Sequence, residues 1–116
     1  MSKGKSSRVS GHKPPDVFQE QFLKTWRDKD EPFDEQLVHL TLGITGEAGE
    51  FSELVKKYLY KPNVFPTALE MMDELADLFY YISLMAWLFG FSVDDLRDIL
   101  ARKLAGGHGW TDQTTG

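Results

Sequence analysis

Residues 43–57 read GITGEAGEFSELVKK and residues 70–96 read EMMDELADLFYYISLMAWLFGFSVDDL, and the fold turns on how these two stretches are read. Each carries a carboxylate pair at helical spacing, Glu47-x-x-Glu50 in the first and Glu74-x-x-Asp77 in the second. Residues three apart on an α-helix are rotated by roughly 60° and separated by about 4.5 Å along the axis, so each pair leaves one face as an oxygen pincer. Residues 51–73, between the pairs, leave room for the end of one helix, a turn and the start of the next. The pincers can therefore face each other across an antiparallel helical hairpin.

Working outward, Asp34 is a candidate cap for a long helix running from about 34 to 60, with Leu37, Leu40, Ile44, Phe51, Leu54 and Val55 as its buried side. Gly43, Gly46 and Gly49 recur inside it, each costing about 1 kcal/mol relative to Ala. That cost implies close approach of a neighbouring helix or a ligand to the backbone. Thr67-x-x-Glu70 behind Pro66 is a capping box opening a further helix, about 67 to 89. The same helix turns Leu75, Leu78, Phe79 and Ile82 toward a core, and its second half is apolar almost all round. Burial on several sides is implied, one of them a subunit interface in a domain this small.

Upstream, Asp16 with Gln19 resembles a capping box for a first helix, about 16 to 29, with Val17, Phe18, Phe22 and Trp26 as its apolar stripe. Downstream, Gly90 closes the third helix, Ser92-x-x-Asp95 opens a fourth from about 92 to 105, and Gly106-Gly107 stops it. No strand pattern or repeat is present. The expectation is an all-α domain over 16–105, a four-helix bundle-like arrangement of antiparallel helices that dimerises or tetramerises. A disordered basic tail over 1–15 and a flexible C-terminal tail over 106–116 flank it.

At 116 residues, 41% of them hydrophobic, the chain suits one domain with a modest core. Cysteine is absent, which removes disulfides and thiolate metal sites and fits a reducing cytoplasm. The net charge of −5 conceals a split: Lys3, Lys5, Arg8 and Lys13 precede the first acid, leaving −9 on residues 16–116. An acidic body argues against nucleic-acid binding. Residues 78–93 are uncharged but fall short of the ~20 apolar residues a membrane span needs, so no membrane partner is expected.

Two readings of the acids compete. Glu70, Glu74 and Asp77 share a stripe, and a solvated acidic face is the commoner outcome for such spacing. Against it, no Lys or Arg stands three or four residues from Glu47, Glu50, Glu74 or Asp77, where surface helices usually interleave opposite charges. All-oxygen donors select a hard cation, Mg²⁺ first and Mn²⁺ as a substitute. A di-iron bundle would call for Glu-x-x-His, and none of His12, His39 and His108 follows a glutamate at that spacing.

The two quoted stretches, with E-x-x-E followed by E-x-x-D, resemble the MazG-like branch of the all-α nucleoside triphosphate pyrophosphohydrolases over about residues 17–105. The resemblance implies Mg²⁺-dependent cleavage of a nucleoside triphosphate, such as a dNTP, between the α and β phosphates, giving the monophosphate and pyrophosphate. It implies a dimer or dimer of dimers, with Glu47, Glu50, Glu74 and Asp77 as metal ligands. Tyr81 matches a position where that family often places a tyrosine near the nucleotide, although packing in the bundle explains it equally. The family's Lys, Asn and Arg near the last helix end are matched here only by Lys103, followed by LAGGHGW. Lys103, Arg102 and His108 are therefore candidates for phosphate contact or plain surface. Glu53 is a candidate base or second-metal ligand, or a surface glutamate. Phe22, Trp26, Phe33 and Trp110 are candidates for base stacking or core, and His39 for either. A base-specific dUTPase or dCTP pyrophosphatase and a non-catalytic helical interaction module are the alternatives.

Overall fold

A computed structural model describes residues 14–61, 63 and 65–106. These are folded as α1 (Val17–Leu23), α2 (Phe33–Tyr60), α3 (Ala68–Leu88) and α4 (Val93–Leu104), with no strand among the described residues. The described residues are all-helical in their regular structure, as the periodicity requires. The expected tails, apart from residues 14, 15 and 106, lie outside the described residues.

Three of the four helix starts are side-chain caps. Asp16, Thr67 and Ser92 each accept a hydrogen bond from the backbone N–H three residues on, and Gln19, Glu70 and Asp95 return the bond to the cap's own N–H. The long helix is different: it starts at Phe33 behind Pro32, which offers no side-chain cap, and Asp34 lies inside the first turn. An acid there still faces the positive end of the helix dipole. Gly90, at φ 86°, ends α3 in the left-handed conformation. Phe91 N–H then reaches Ala86 O at 2.8 Å and Gly90 N–H reaches Trp87 O at 2.9 Å, closing the helix end.

α2 and α3 form an antiparallel hairpin, and α1 packs against α3 near the hairpin's open end. The core there gathers Leu40, Leu84, Trp87 and Leu88, with Phe22, Leu23, Trp26, Phe33 and Leu37 around it. The axis of α4 is turned 96° from that of α3, so α4 leaves the hairpin rather than lying along it. No single helix among the described residues is long and apolar enough to cross a membrane.

α1 is shorter than its apolar pattern predicts, ending at Leu23 rather than near 29, and its stripe is turned differently: Val17 and Phe18 are exposed while Gln19 is buried. The reason is polar. Gln19 Nε2 donates to Ser83 O at 3.0 Å and to Phe91 O at 2.8 Å, while Asp16 Oδ2 accepts from Val93 N–H at 2.7 Å. One capping box thereby ties α1 to the junction of α3 and α4.

A second buried glutamine shapes the connection after α1. Gln36 accepts from Trp26 Nε1 at 2.9 Å and donates to Glu31 O at 2.8 Å and Lys29 O at 3.3 Å. Continuing α1 as a helix would forfeit these bonds.

At Gly43 the hairpin packs a side chain directly on the backbone: a Cβ there would lie 2.5 Å from the Tyr81 ring. Gly46 and Gly49 face open space, so the close approach expected at all three glycines holds at one. Gly43→Ala is expected to lose about 1–2 kcal/mol, overpacking outweighing the gain in helix propensity. Gly46→Ala should gain up to about 1 kcal/mol, and urea titration of both variants distinguishes the two sites. Gln36→Leu should cost about 1–3 kcal/mol in the same titration, by leaving the Trp26 indole N–H without its acceptor.

Candidate metal centre

Gly43 sets the register of everything below it. With Tyr81 against Gly43, one turn along α2 brings Glu47 level with the turn of α3 that carries Asp77, and a further three residues bring Glu50 toward Glu74. Carboxylate oxygens of Glu47, Glu50 and Glu74 all lie within 4.8 Å of one another. The two sequence pairs therefore meet across the hairpin through three of their four members. Asp77 is close enough for its charge to act on Glu47, but it is not one of the three whose oxygens converge.

The electrostatics of this cluster are unfavourable when it is empty of positive charge. Loss of hydration, followed by the neighbouring Glu47 and Glu50 carboxylates, pushes Glu74 up to about 7. Glu47 is raised as well, first by loss of hydration, with Glu50 and Asp77 adding repulsion. Glu47 Oε2 and Glu74 Oε2 are shielded from solvent and have no hydrogen-bond partner. Two orphaned carboxylate oxygens turned into a cluster of a third fit a hard cation, because a cation supplies the coordination that protein donors do not.

Tyr81 joins this cluster to a cleft on its other side. Its hydroxyl is raised above the usual tyrosine range by burial first and then by the Glu47 charge. The cleft, about 380 Å³, is lined by Thr25, Trp26, Arg27, Asp28, His39, Tyr80 and Tyr81. Its groups are held in place: Tyr80 OH and Thr25 Oγ1 share a hydrogen bond at 2.9 Å, His39 Nδ1 pairs with Asp28 Oδ2, and Gln36 fixes the Trp26 indole.

Of the other candidates, Glu53 is exposed and lies 4.0 Å from Lys56, one turn away from the convergent oxygens. Arg102 pairs with Asp98 at 3.2 Å, and Lys103 is exposed near the end of α4. Phe22 packs edge-on against Phe79, and Phe33 edge-on against Phe89, which places both in packing roles. His108 and Trp110 lie outside the described residues. Thr25, Arg27, Asp28 and Tyr80 were not marked by the sequence. Three of them sit in the irregular 24–32 connection, where no periodicity reports which side chains turn inward.

A carboxyl whose folded-state pKa lies above its unfolded value holds its proton more tightly in the folded chain. Its stabilising contribution is complete below about pH 4.5 and is lost as pH rises through about 7. In chelator, the melting temperature is therefore expected to fall between pH 5 and pH 8, and Glu74→Gln should flatten that slope. A hard divalent cation should raise the melting temperature more at pH 8 than at pH 5, since it competes with the proton.

No protein-family model matches this chain, and neither a curated protein nor a solved structure gives a match.

Proposed function

We propose that this protein is a Mg²⁺-dependent nucleoside triphosphate pyrophosphohydrolase, similar to the MazG-like enzymes, acting on nucleotides such as dNTPs between the α and β phosphates. The observation that carries this reading is the convergence of Glu47, Glu50 and Glu74 with two solvent-shielded, unpartnered oxygens. The Tyr81 ring packed on Gly43, a residue unfavourable inside a helix, supports the register in which these acids meet.

In this reading Glu47, Glu50 and Glu74 hold Mg²⁺, with Mn²⁺ as a substitute, and Asp77 adds negative charge beside them. The bound ion supplies positive charge against the triphosphate and makes water more acidic. The carboxylates orient the charged end of the substrate, and Tyr81 stands between that end and the cleft. Trp26, Tyr80 and Tyr81 give the cleft aromatic walls for a planar ring, and Arg27 is its cationic side chain. Lys103 and Glu53 have no part in this arrangement.

The polar fittings of the cleft favour selectivity. A site built around fixed hydrogen-bonding groups such as Thr25, Asp28 and His39 rejects ligands that leave those groups unpaired. A base-specific enzyme, a dUTPase or dCTP pyrophosphatase, is therefore the second reading.

Pyrophosphate release from a panel of ribo- and deoxynucleoside triphosphates with Mg²⁺ tests both. Glu50→Ala and Glu74→Ala are each expected to lower the rate at least about 100-fold while raising the melting temperature in chelator, because each relieves repulsion. Full activity in either variant would sink the site assignment. No release from any nucleotide would favour the non-catalytic module.

A further inference from the structure

We propose that Arg27 anchors the phosphate that stays with the nucleoside, so that the cleft beside Tyr81 is a site for a nucleoside 5′-monophosphate, the product of the reaction and the first part of its substrate. The inference rests on the nucleotide reading above and adds to it a residue from the irregular connection between α1 and α2.

Charge calls for such a residue. The oxygens of Glu47, Glu50 and Glu74 converge, and Asp77 adds its charge beside them. A triphosphate brought to this cluster adds further negative charge, more than one divalent ion neutralises. A cation on the cleft side is needed. Of the residues that line the cleft, Arg27 alone carries a permanent positive charge. Other basic side chains are engaged elsewhere: Lys56 lies beside Glu53, Arg97 pairs with Asp94 at 3.2 Å and Arg102 with Asp98 at 3.2 Å. The last two stand on α4, which follows the end of α3 remote from Glu74 and turns away by 96°.

Position identifies which phosphate it meets. Tyr81 has its ring on Gly43, and its hydroxyl feels the charges of Glu47 and Asp77 in one sense and that of Arg27 in the other. Carboxylates and guanidinium thus flank one side chain. A ligand group beside Tyr81 lies between the cluster and Arg27, and in a nucleotide seated with its ring in the cleft that group is the α-phosphate.

The backbone around Arg27 is held in advance. Thr25 Oγ1 donates to Phe22 O at 2.9 Å, and the Tyr80 hydroxyl meets the same oxygen at 2.9 Å. Trp26 Nε1 donates to Gln36 at 2.9 Å, Asp28 Oδ2 pairs with His39 Nδ1, and Asp28 O accepts from Glu31 N–H at 2.9 Å. Residues on both sides of Arg27 are therefore fastened, while its own side chain is exposed at the cleft. A guanidinium placed this way offers a phosphate two parallel N–H donors, a geometry lysine lacks.

Calorimetric titration of the full chain, with Mg²⁺ present, by each common 2′-deoxynucleoside 5′-monophosphate and then by the nucleoside of the tightest binder tests the assignment. Arg27→Gln should weaken the monophosphate roughly 10-fold or more, the scale of one charged hydrogen-bonding partner, and leave the nucleoside unchanged. Arg27→Lys should recover part of that loss, since the charge remains and the paired donors do not. Arg97→Gln, on an exposed position of α4, should bind as the wild type does. Because Arg27 is exposed, the melting temperature of Arg27→Gln should match the wild type, which separates lost binding from lost folding. A wild-type chain that binds the monophosphate no more tightly than its nucleoside overturns the proposal. So does an Arg27→Gln protein that keeps wild-type affinity, or one that loses monophosphate and nucleoside equally. Monophosphate binding through Arg27 in a protein that releases no pyrophosphate would uphold this site and sink the hydrolase reading. Hydrolysis by the wild type with no effect of Arg27→Gln on binding would do the reverse.

Discussion

The contact on which the site depends is the packing of the Tyr81 ring on Gly43. No side chain fits between them: a Cβ at Gly43 would lie 2.5 Å from the ring, so the tyrosine packs directly on the α2 backbone. A helix hairpin can slide by a turn without losing much apolar contact. A ring seated where a Cβ is missing resists that slide, because shifting α2 by one turn would set Glu47 or His39 under the ring. The convergence of Glu47, Glu50 and Glu74 is thus a consequence of register, and register is a consequence of one absent methyl group.

Register alone does not explain why the acids are tolerated. Three carboxylates with oxygens inside 4.8 Å oppose the hairpin that creates them, and Glu74 is raised to about 7 by loss of hydration first and by its Glu47 and Glu50 neighbours second. The stabilising part of the fold lies elsewhere, at the hairpin's open end, where Leu40, Leu84, Trp87 and Leu88 pack and two buried glutamines fasten α1 and the 24–32 connection. The chain separates the region that holds it together from the region that carries clustered charge. Such a division lets the acidic region change protonation or ligand state without disturbing the core.

Much of this was legible from local rules. Capping boxes at Asp16, Thr67 and Ser92 and the glycine stop at Gly90 placed three helix starts and one end within a residue, since each depends only on neighbours three or four positions away. Pairing Glu47 and Glu50 with Glu74 was legible because helical spacing and the length of 51–73 leave few ways to fold back. What was not legible depended on partners far along the chain. Gln19 read only as the partner of Asp16 in a capping box and Gln36 carried no signal, yet their burial and their bonds to Ser83, Phe91 and Trp26 decide where α1 lies and where it stops. Gly46 and Gly49 had the same local signal as Gly43 and meet nothing. Asp34 had the right chemistry for a cap but falls one residue inside the helix.

The apolar second half of α3 now divides into sides with different duties. Tyr81 turns toward α2, Tyr80 and Trp87 toward α1 and the core, and Ile82, Met85, Ala86 and Phe89 line the open groove. A helix with three apolar sides in a chain of this size cannot bury all of them with α1, α2 and α4, because α1 has seven residues and α4 leaves at 96°. The acids obey the same geometry: Glu74 shares the α2-facing side with Tyr81, and so the stripe of Met72, Leu75, Phe79, Ile82, Ala86 and Phe89 is left free of charge. One helix thereby presents a charged cluster inward along its first half and, on another side, an uncharged apolar stripe that is partly exposed and partly packed against Phe22 and Phe33. Drawing the acids away from that side is what leaves the stripe free of charge.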